Sequence, residues 1–120
     1  MQERRENIIV RKTEMFADRV INMCRYLYKK KTGDTDMIRQ VYRSGTSIGA
    51  NVAESQYAQS RADFLTKMTI ALKEANEIHF WIGRLHSVGN LSDKEYSSIN
   101  ADNEEIIKLL TSITNTVKGS

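Results

Sequence analysis

The sequence predicts an all-α protein, an antiparallel four-helix bundle with up-down-up-down topology. The chain of 120 residues contains no proline, so nothing in it interrupts long helices. Apolar residues recur at spacings of three and four in four segments, which is the spacing of one face of a helix. No segment shows the sustained alternation of a strand. Short polar breaks separate the segments, and short connections favour antiparallel neighbours.

The first predicted helix covers about residues 7–31. Its apolar face is formed by Ile9, Phe16, Val20, Met23 and Leu27. Lysines in the last turn and Gly33 just beyond are typical of a helix end.

The second predicted helix covers residues 35–54, after an N-cap at Asp34 or Thr35. Gly45 and Gly49 alone would indicate a turn, because each glycine costs about 1 kcal/mol in a helix. The apolar face nevertheless continues through them. We therefore predict a helix that packs closely against a neighbour.

Two capping boxes introduce the remaining helices. Ser60-x-x-Asp63 precedes a third helix over residues 61–87, and Ser92-x-x-Glu95 precedes a fourth over residues 93–117. In the fourth helix, Asn103 is the one heptad position on the core-facing side that lacks an apolar side chain.

The length fits a single domain over residues 1–120. The start of the chain does not read as a signal peptide, and no apolar run is long enough to span a membrane, so we expect a cytoplasmic protein. The one cysteine, Cys24, lies among apolar residues and is predicted to be a buried thiol.

Two patterns suggest catalysis or metal binding, but neither has the required context. Residues 45–49 match the G-x-S-x-G elbow of serine hydrolases, which needs a strand before the serine and a sheet around it. His79 and His86 are seven residues apart, too far to share one metal ion directly. We therefore predict a protein that is not an enzyme and needs neither a metal nor a cofactor.

A polar row lies within the small-residue part of the second helix. It consists of Ser44, Ser47 and Asn51 at helical spacing, with Glu54 one turn further on. Such a row is either a binding site or a buried hydrogen-bond network that fixes helix register, and we favour the network.

Positive charge is concentrated at the start of the chain. The net charge is +3, but residues 1–31 hold nine of the 18 Lys and Arg residues and only four acids. On a helical wheel the first helix presents two neighbouring basic columns, Arg4, Arg11 and Arg25 in one and Arg5, Lys12 and Arg19 in the other. The cluster Lys29–Lys31 adds to them, whereas Asp18 falls within the stripe. The stripe is either a solvated surface or a phosphate-binding face for RNA or DNA.

The third helix is apolar over more of its circumference than one bundle core needs. Ile70, Phe80 and Trp81 lie outside its main apolar stripe. Such surface is usually buried against a partner, so we expect a closed homo-oligomer.

The second and third helices resemble the bacterial four-helix bundle family, whose members are also called 23S ribosomal RNA intervening-sequence proteins. The resemblance lies in the pattern R-S-x-x-S-I-x-x-N-x-x-E at residues 43–54 and in matching residues that follow. These residues are Asp63, Phe64, Lys67, residues 70–75, Glu77 and Trp81. Accessory variability proteins of diversity-generating retroelements are similar.

The resemblance implies a ring of five bundles with a basic central surface. In the retroelement relatives that surface serves nucleic acid and a reverse transcriptase. It also implies a structural role for Arg43, Ser44, Ser47, Asn51 and Glu54, and no catalytic residue. The family often has two basic residues after the position of Ser60, whereas here Ala62 follows Arg61.

We therefore expect a non-enzymatic oligomer of this type that binds nucleic acid without sequence specificity through the first helix. The alternative is a protein–protein adaptor whose charges only keep the assembly soluble.

Overall fold

Four helices make up the bundle. The computed structural model describes residues 2–31 and 34–119, with side chains from residue 8 onward. Helix α1 covers Gln2–Lys30, α2 covers Thr35–Ser55, α3 covers Arg61–Ser87 and α4 covers Asp93–Gly119. Each helix contacts the next, and α4 returns to contact α1, so the predicted all-α four-helix bundle is confirmed.

Helix α1 begins at Gln2, before the predicted start near residue 7. The first residues are charged and lack an apolar periodicity, so the sequence pattern gives no signal there although most of them favour helix. Helices α2 and α4 end at Ser55 and Gly119, one and two residues beyond the predicted ends.

The core lies along the bundle axis, and every helix contributes its apolar face. In α1 the predicted face is buried except for Met23, which packs at the edge of the core. Cys24 is also buried, and its Sγ lies 3.7 Å from the Ile38 carbonyl oxygen. Burial raises the pKa of the Cys24 thiol to about 11, because the thiolate would lose its hydration.

The two α2 glycines allow close helix packing. A Cβ atom on Gly45 would lie 2.7 Å from Val20 Cγ1 of α1 and 2.7 Å from Ile78 Cδ1 of α3. On Gly49 it would lie 3.1 Å from the Thr13 carbonyl oxygen. The G-x-S-x-G pattern therefore lies within a continuous helix, where its glycines accommodate neighbouring helices.

Side chains cap the helices as the sequence predicts. Asp34 accepts a hydrogen bond from the Asp36 amide, and Ser60 accepts one from the Asp63 amide. At α4, Ser92 Oγ accepts from the Glu95 amide (3.1 Å), and Glu95 Oε1 accepts from the Ser92 amide (2.8 Å). The hydrogen bond from the Ser92 backbone lowers the pKa of the Glu95 carboxyl, and the charge of Lys30 lowers it further.

Asn103 is fully buried in the seam between α3 and α4. Its Nδ2 donates to the Ala75 carbonyl oxygen at 2.9 Å, while its Oδ1 has no partner among the described residues. A single buried amide of this kind favours one register of two helices over others, at a cost in stability. Within the described ranges, no helix combines the length and apolarity needed to cross a membrane.

Candidate nucleic-acid interface

The outward side of α1 carries one of the two predicted basic columns. Arg11, Arg25 and Lys29 are exposed on this side, and Lys30 and Lys31 continue the positive charge at the end of the helix. Within the described part of the chain, none of these five side chains forms an ion pair. Arg11 and Lys29 are about 27 Å apart along the helix at 1.5 Å rise per residue. We call these five residues the outer α1 face.

Two residues of the second predicted column, Lys12 and Arg19, are directed towards α4 instead. Lys12 forms an ion pair with Glu105. Arg19 Nη1 lies 2.6 Å from Asp102 Oδ2 and donates to the Ser98 carbonyl oxygen at 3.1 Å. Lys12 and Arg19 are therefore paired with acids of α4, which sets them apart from Arg11 and Arg25 of the predicted stripe, and their part in nucleic-acid binding stays a prediction.

The remaining predicted cations, Arg4 and Arg5, have side chains outside the described residues, although the α1 backbone includes both positions. Two exposed acids, Glu14 and Asp18, lie near Arg11 on the groove between α1 and α2. They reduce the positive field at the middle of the helix. The charge is least diluted at its C-terminal end.

The side chains of Arg43 and Ser44 on α2 contact acidic residues of α3. Arg43 forms ion pairs with Glu74, at 3.1 Å, and with Glu77. The buried hydroxyl of Ser44 lies 2.6 Å from Glu77 Oε2 and 2.7 Å from the Gln40 carbonyl oxygen, and with one proton it donates to one of them at a time. The motif residues on the two helices therefore form one interface.

The rest of the polar row does not form the predicted buried network. Asn51 is half-buried, and its Nδ2 donates to the Ser47 carbonyl oxygen of the same helix at 2.9 Å. Glu54 is exposed and pairs with Lys67 of α3 at 3.1 Å. The carboxylate of Glu54 lies on the α2–α3 surface because position 54 is on the exposed side of α2, between Ser47 and Ala50 on a helical wheel.

Both histidines lie on the α3–α4 surface. His79 Nδ1 is 3.0 Å from Asn100 Oδ1. His86 Nε2 is 2.6 Å from Asp93 Oδ1, and its ring stacks on Tyr96 with a centroid distance of 4.3 Å. Among the described residues, no three side chains of His, Cys, Asp or Glu are placed to hold a metal ion.

The apolar residues expected at an oligomer interface differ in exposure. Phe80 is 55% exposed and Ile70 is 37% exposed. Trp81 packs against the core, and its ring meets that of Phe80 edge-on at 5.1 Å. Phe80 and Ile70 are therefore exposed outside the core, as predicted for an apolar surface that could contact a second subunit, whereas Trp81 is packed against the core.

The acids that pair with these cations were not predicted from the sequence. They are Glu74 and Glu77 on α3 and Asp102 and Glu105 on α4. Each set is spaced by three residues, so its members share one side of a helix. The spacing of three could have indicated that each pair of acids lies on one side of its helix. It does not indicate which neighbouring helix the acids face.

These features define an antiparallel bundle that presents a cationic face from one helix and joins its two motif helices by ion pairs. The model of the family described as 23S rRNA-intervening sequence protein matches residues 5–112, so the chain belongs to that family.

A solved structure supports this membership. The chain is similar to a protein of unknown function from the S23 ribosomal protein family of Bacteroides thetaiotaomicron VPI-5482, with 44% sequence identity and a TM-score of 0.89. The similarity covers 92% of this chain and 98% of that one. Among curated proteins, none matches the chain.

Proposed function

We propose that this protein binds RNA or DNA without sequence specificity through the outer α1 face, and that it acts by binding rather than by catalysis. The observation that carries the proposal is the direction of Arg11, Arg25 and Lys29, which are exposed on one helix without an acidic partner among the described residues. Cations arranged in this way neutralise phosphates whatever the base sequence.

The pairing of the other column supports a division of roles. Lys12 and Arg19 neutralise acids of α4 and join two helices, whereas Arg11, Arg25 and Lys29 form no ion pair among the described residues. Basic residues that are exposed and not paired in this way are available for a partner. Ser47 of the G-x-S-x-G pattern lies in the middle of α2. In serine hydrolases the serine of this pattern lies instead on a turn between a strand and a helix.

A mobility shift with a structured RNA tests this proposal. The variant Arg11→Gln/Arg25→Gln/Lys29→Gln should bind much more weakly than the wild type. The matched control Lys73→Gln/Lys108→Gln/Lys118→Gln removes the same charge from exposed positions on α3 and α4 and should bind nearly as well. An equal loss in both would show that only net charge matters and would contradict the role of the outer α1 face, whereas an absence of binding by the wild type would favour the protein–protein adaptor.

We also propose that the chain assembles into a homo-oligomer, with a pentamer expected from the family resemblance. The exposed side chains of Phe80 and Ile70 support this proposal, because exposed apolar surface is commonly covered by a second subunit. Assembly would bring several outer α1 faces together and strengthen binding through avidity. Light scattering should give a mass well above 13.8 kDa at micromolar concentration, and a stable monomer would contradict the proposal.

A further inference from the structure

A groove between α1 and α4 opens beside the C-terminal end of α1. Its volume is about 510 Å³, and its apolar floor is formed by Met23, Leu91 and Ile99. Leu91 and Ile99 are buried, so the floor belongs to the bundle core. The groove forms where α1 and α4 meet, the pair that packs least closely of the four neighbouring pairs.

An aromatic ring and an amide lie at the edge of this groove. Tyr26 is 47% exposed, and Lys30 Nζ lies 4.8 Å from the centre of its ring. Asn22 is exposed beside it and can both donate and accept hydrogen bonds. Lys30 covers one face of the Tyr26 ring, and the other face, together with the apolar floor and the amide, suits a flat heterocycle.

The two sides of the groove differ in charge. Lys30 lies beside the Tyr26 ring on the α1 side, and Arg19, which is paired with Asp102, also lines the groove. Arg25 and Lys29 are exposed on α1 one residue before and three residues after Tyr26, whereas Glu95 lies on the α4 side of the groove. Phosphates are attracted to the α1 side and repelled by the Glu95 carboxylate. A nucleotide therefore fits in one orientation, with its phosphates against α1 and its base in the groove.

We propose that this groove receives an unpaired base of a single-stranded nucleic acid, which stacks on Tyr26 while Arg25, Lys29 and Lys30 bind the adjacent phosphates. The inference rests on the proposed function and adds to it a preference for single strands over duplexes. In a duplex each base is already stacked and paired, so Tyr26 has no free base face to contact.

Fluorescence anisotropy with the full-length protein tests this inference. The probes are a short labelled RNA strand and the same strand annealed to its complement, at about 50 mM salt. Tyr26→Leu should weaken single-strand binding by roughly 5- to 150-fold, the loss of one base–aromatic stack, and should leave duplex binding nearly unchanged. Tyr26→Phe keeps the ring and should bind like the wild type.

Two further variants complete the experiment. Tyr57→Leu removes a tyrosine that is 87% exposed in the loop between α2 and α3, outside the groove, and should have no effect. Asn22→Ala alters the groove at a second exposed position and should also weaken single-strand binding selectively. Thermal unfolding establishes that each variant is folded.

The outcomes separate this inference from the proposed function. If the wild type binds both probes and Tyr26→Leu leaves single-strand affinity unchanged, or lowers both affinities equally, the groove does not receive a base, while phosphate binding by the outer α1 face stands. If the wild type binds neither probe, both proposals are overturned.

Discussion

The hydroxyl of Ser44 on α2 lies 2.6 Å from the carboxylate of Glu77 on α3. Ser44 is buried and Glu77 also pairs with Arg43, so this contact links the interior of the α2–α3 interface to its surface. The pattern at residues 43–54 therefore has a structural explanation, at least in its first two residues.

This contact gives a stability prediction. Ser44→Ala and Glu77→Gln should each lower the free energy of unfolding by about 1 kcal/mol, because each weakens a partly buried hydrogen bond to a charged group. In a double-mutant cycle measured by urea denaturation, the coupling energy should be about 0.5–1.5 kcal/mol. A coupling energy near zero would show that the two side chains do not interact in solution.

Glycine substitutions should have opposite effects at two helical positions. Gly45→Ala should lower stability by about 1–3 kcal/mol, because its Cβ would collide with Val20 and Ile78 at 2.7 Å. Gly83→Ala should raise stability by about 0.5–1 kcal/mol, because among the described residues no atom beyond its own stretch of helix lies within 4 Å of its Cβ and alanine favours helix. Thermal unfolding measures both. Stabilisation by Gly45→Ala would mean that α2 packs less closely than described.

The two basic columns of α1 should differ in their effect on stability. Arg19→Gln should lower the free energy of unfolding by about 0.5–1.5 kcal/mol, since it removes a partly exposed ion pair to Asp102 and a hydrogen bond to the Ser98 carbonyl. Arg11→Gln should change it by less than about 0.5 kcal/mol. Urea denaturation of the two variants checks the difference, and equal effects would contradict the described direction of Arg19.

Burial of the Cys24 thiol should lower the stability of the fold at alkaline pH and should slow the reaction of the thiol with reagents. Its pKa is raised to about 11 by burial, so the folded state keeps the thiol protonated where the unfolded state ionises it. Stability should therefore fall as the pH rises from about 8.5, the ordinary thiol pKa, towards 11. Cys24→Ala should reduce this slope.

A thiol reagent checks the same burial at neutral pH. The native protein should react slowly and the unfolded protein quickly, because the reactive thiolate is scarce in the fold. Rapid, complete modification of the native protein would show that Cys24 is accessible.

The helical bundle could be predicted because the apolar periodicity of each segment reports directly on its buried face. Ile9, Phe16, Val20 and Leu27 illustrate this, since all four are buried as their spacing indicates. The first turns of α1 were missed because charged residues there form helix without an apolar face. Gly45 and Gly49 were assigned correctly because the apolar pattern continued through them.

The site was less predictable from the sequence. A helical wheel places Lys12 and Arg19 relative to their own helix, but it does not show that Asp102 and Glu105 of α4 lie beside them. Glu54 lies between Ser47 and the exposed Ala50 on the helical wheel of α2, away from the buried positions, and the wheel does not show that its partner is Lys67 of α3. Contacts between helices depend on their relative rotation, which periodicity within one helix does not contain.

The dependence of binding on salt tests the central claim most directly. The affinity of the wild-type protein for RNA strands of unrelated sequence should be similar, and its logarithm should fall linearly with the logarithm of the salt concentration. Three phosphate contacts by Arg11, Arg25 and Lys29 predict a slope of about −2 to −3 for each bound chain, at roughly −0.7 to −0.9 per contact. An absence of binding at about 50 mM salt, or an affinity that does not change with salt, would contradict phosphate binding by the outer α1 face.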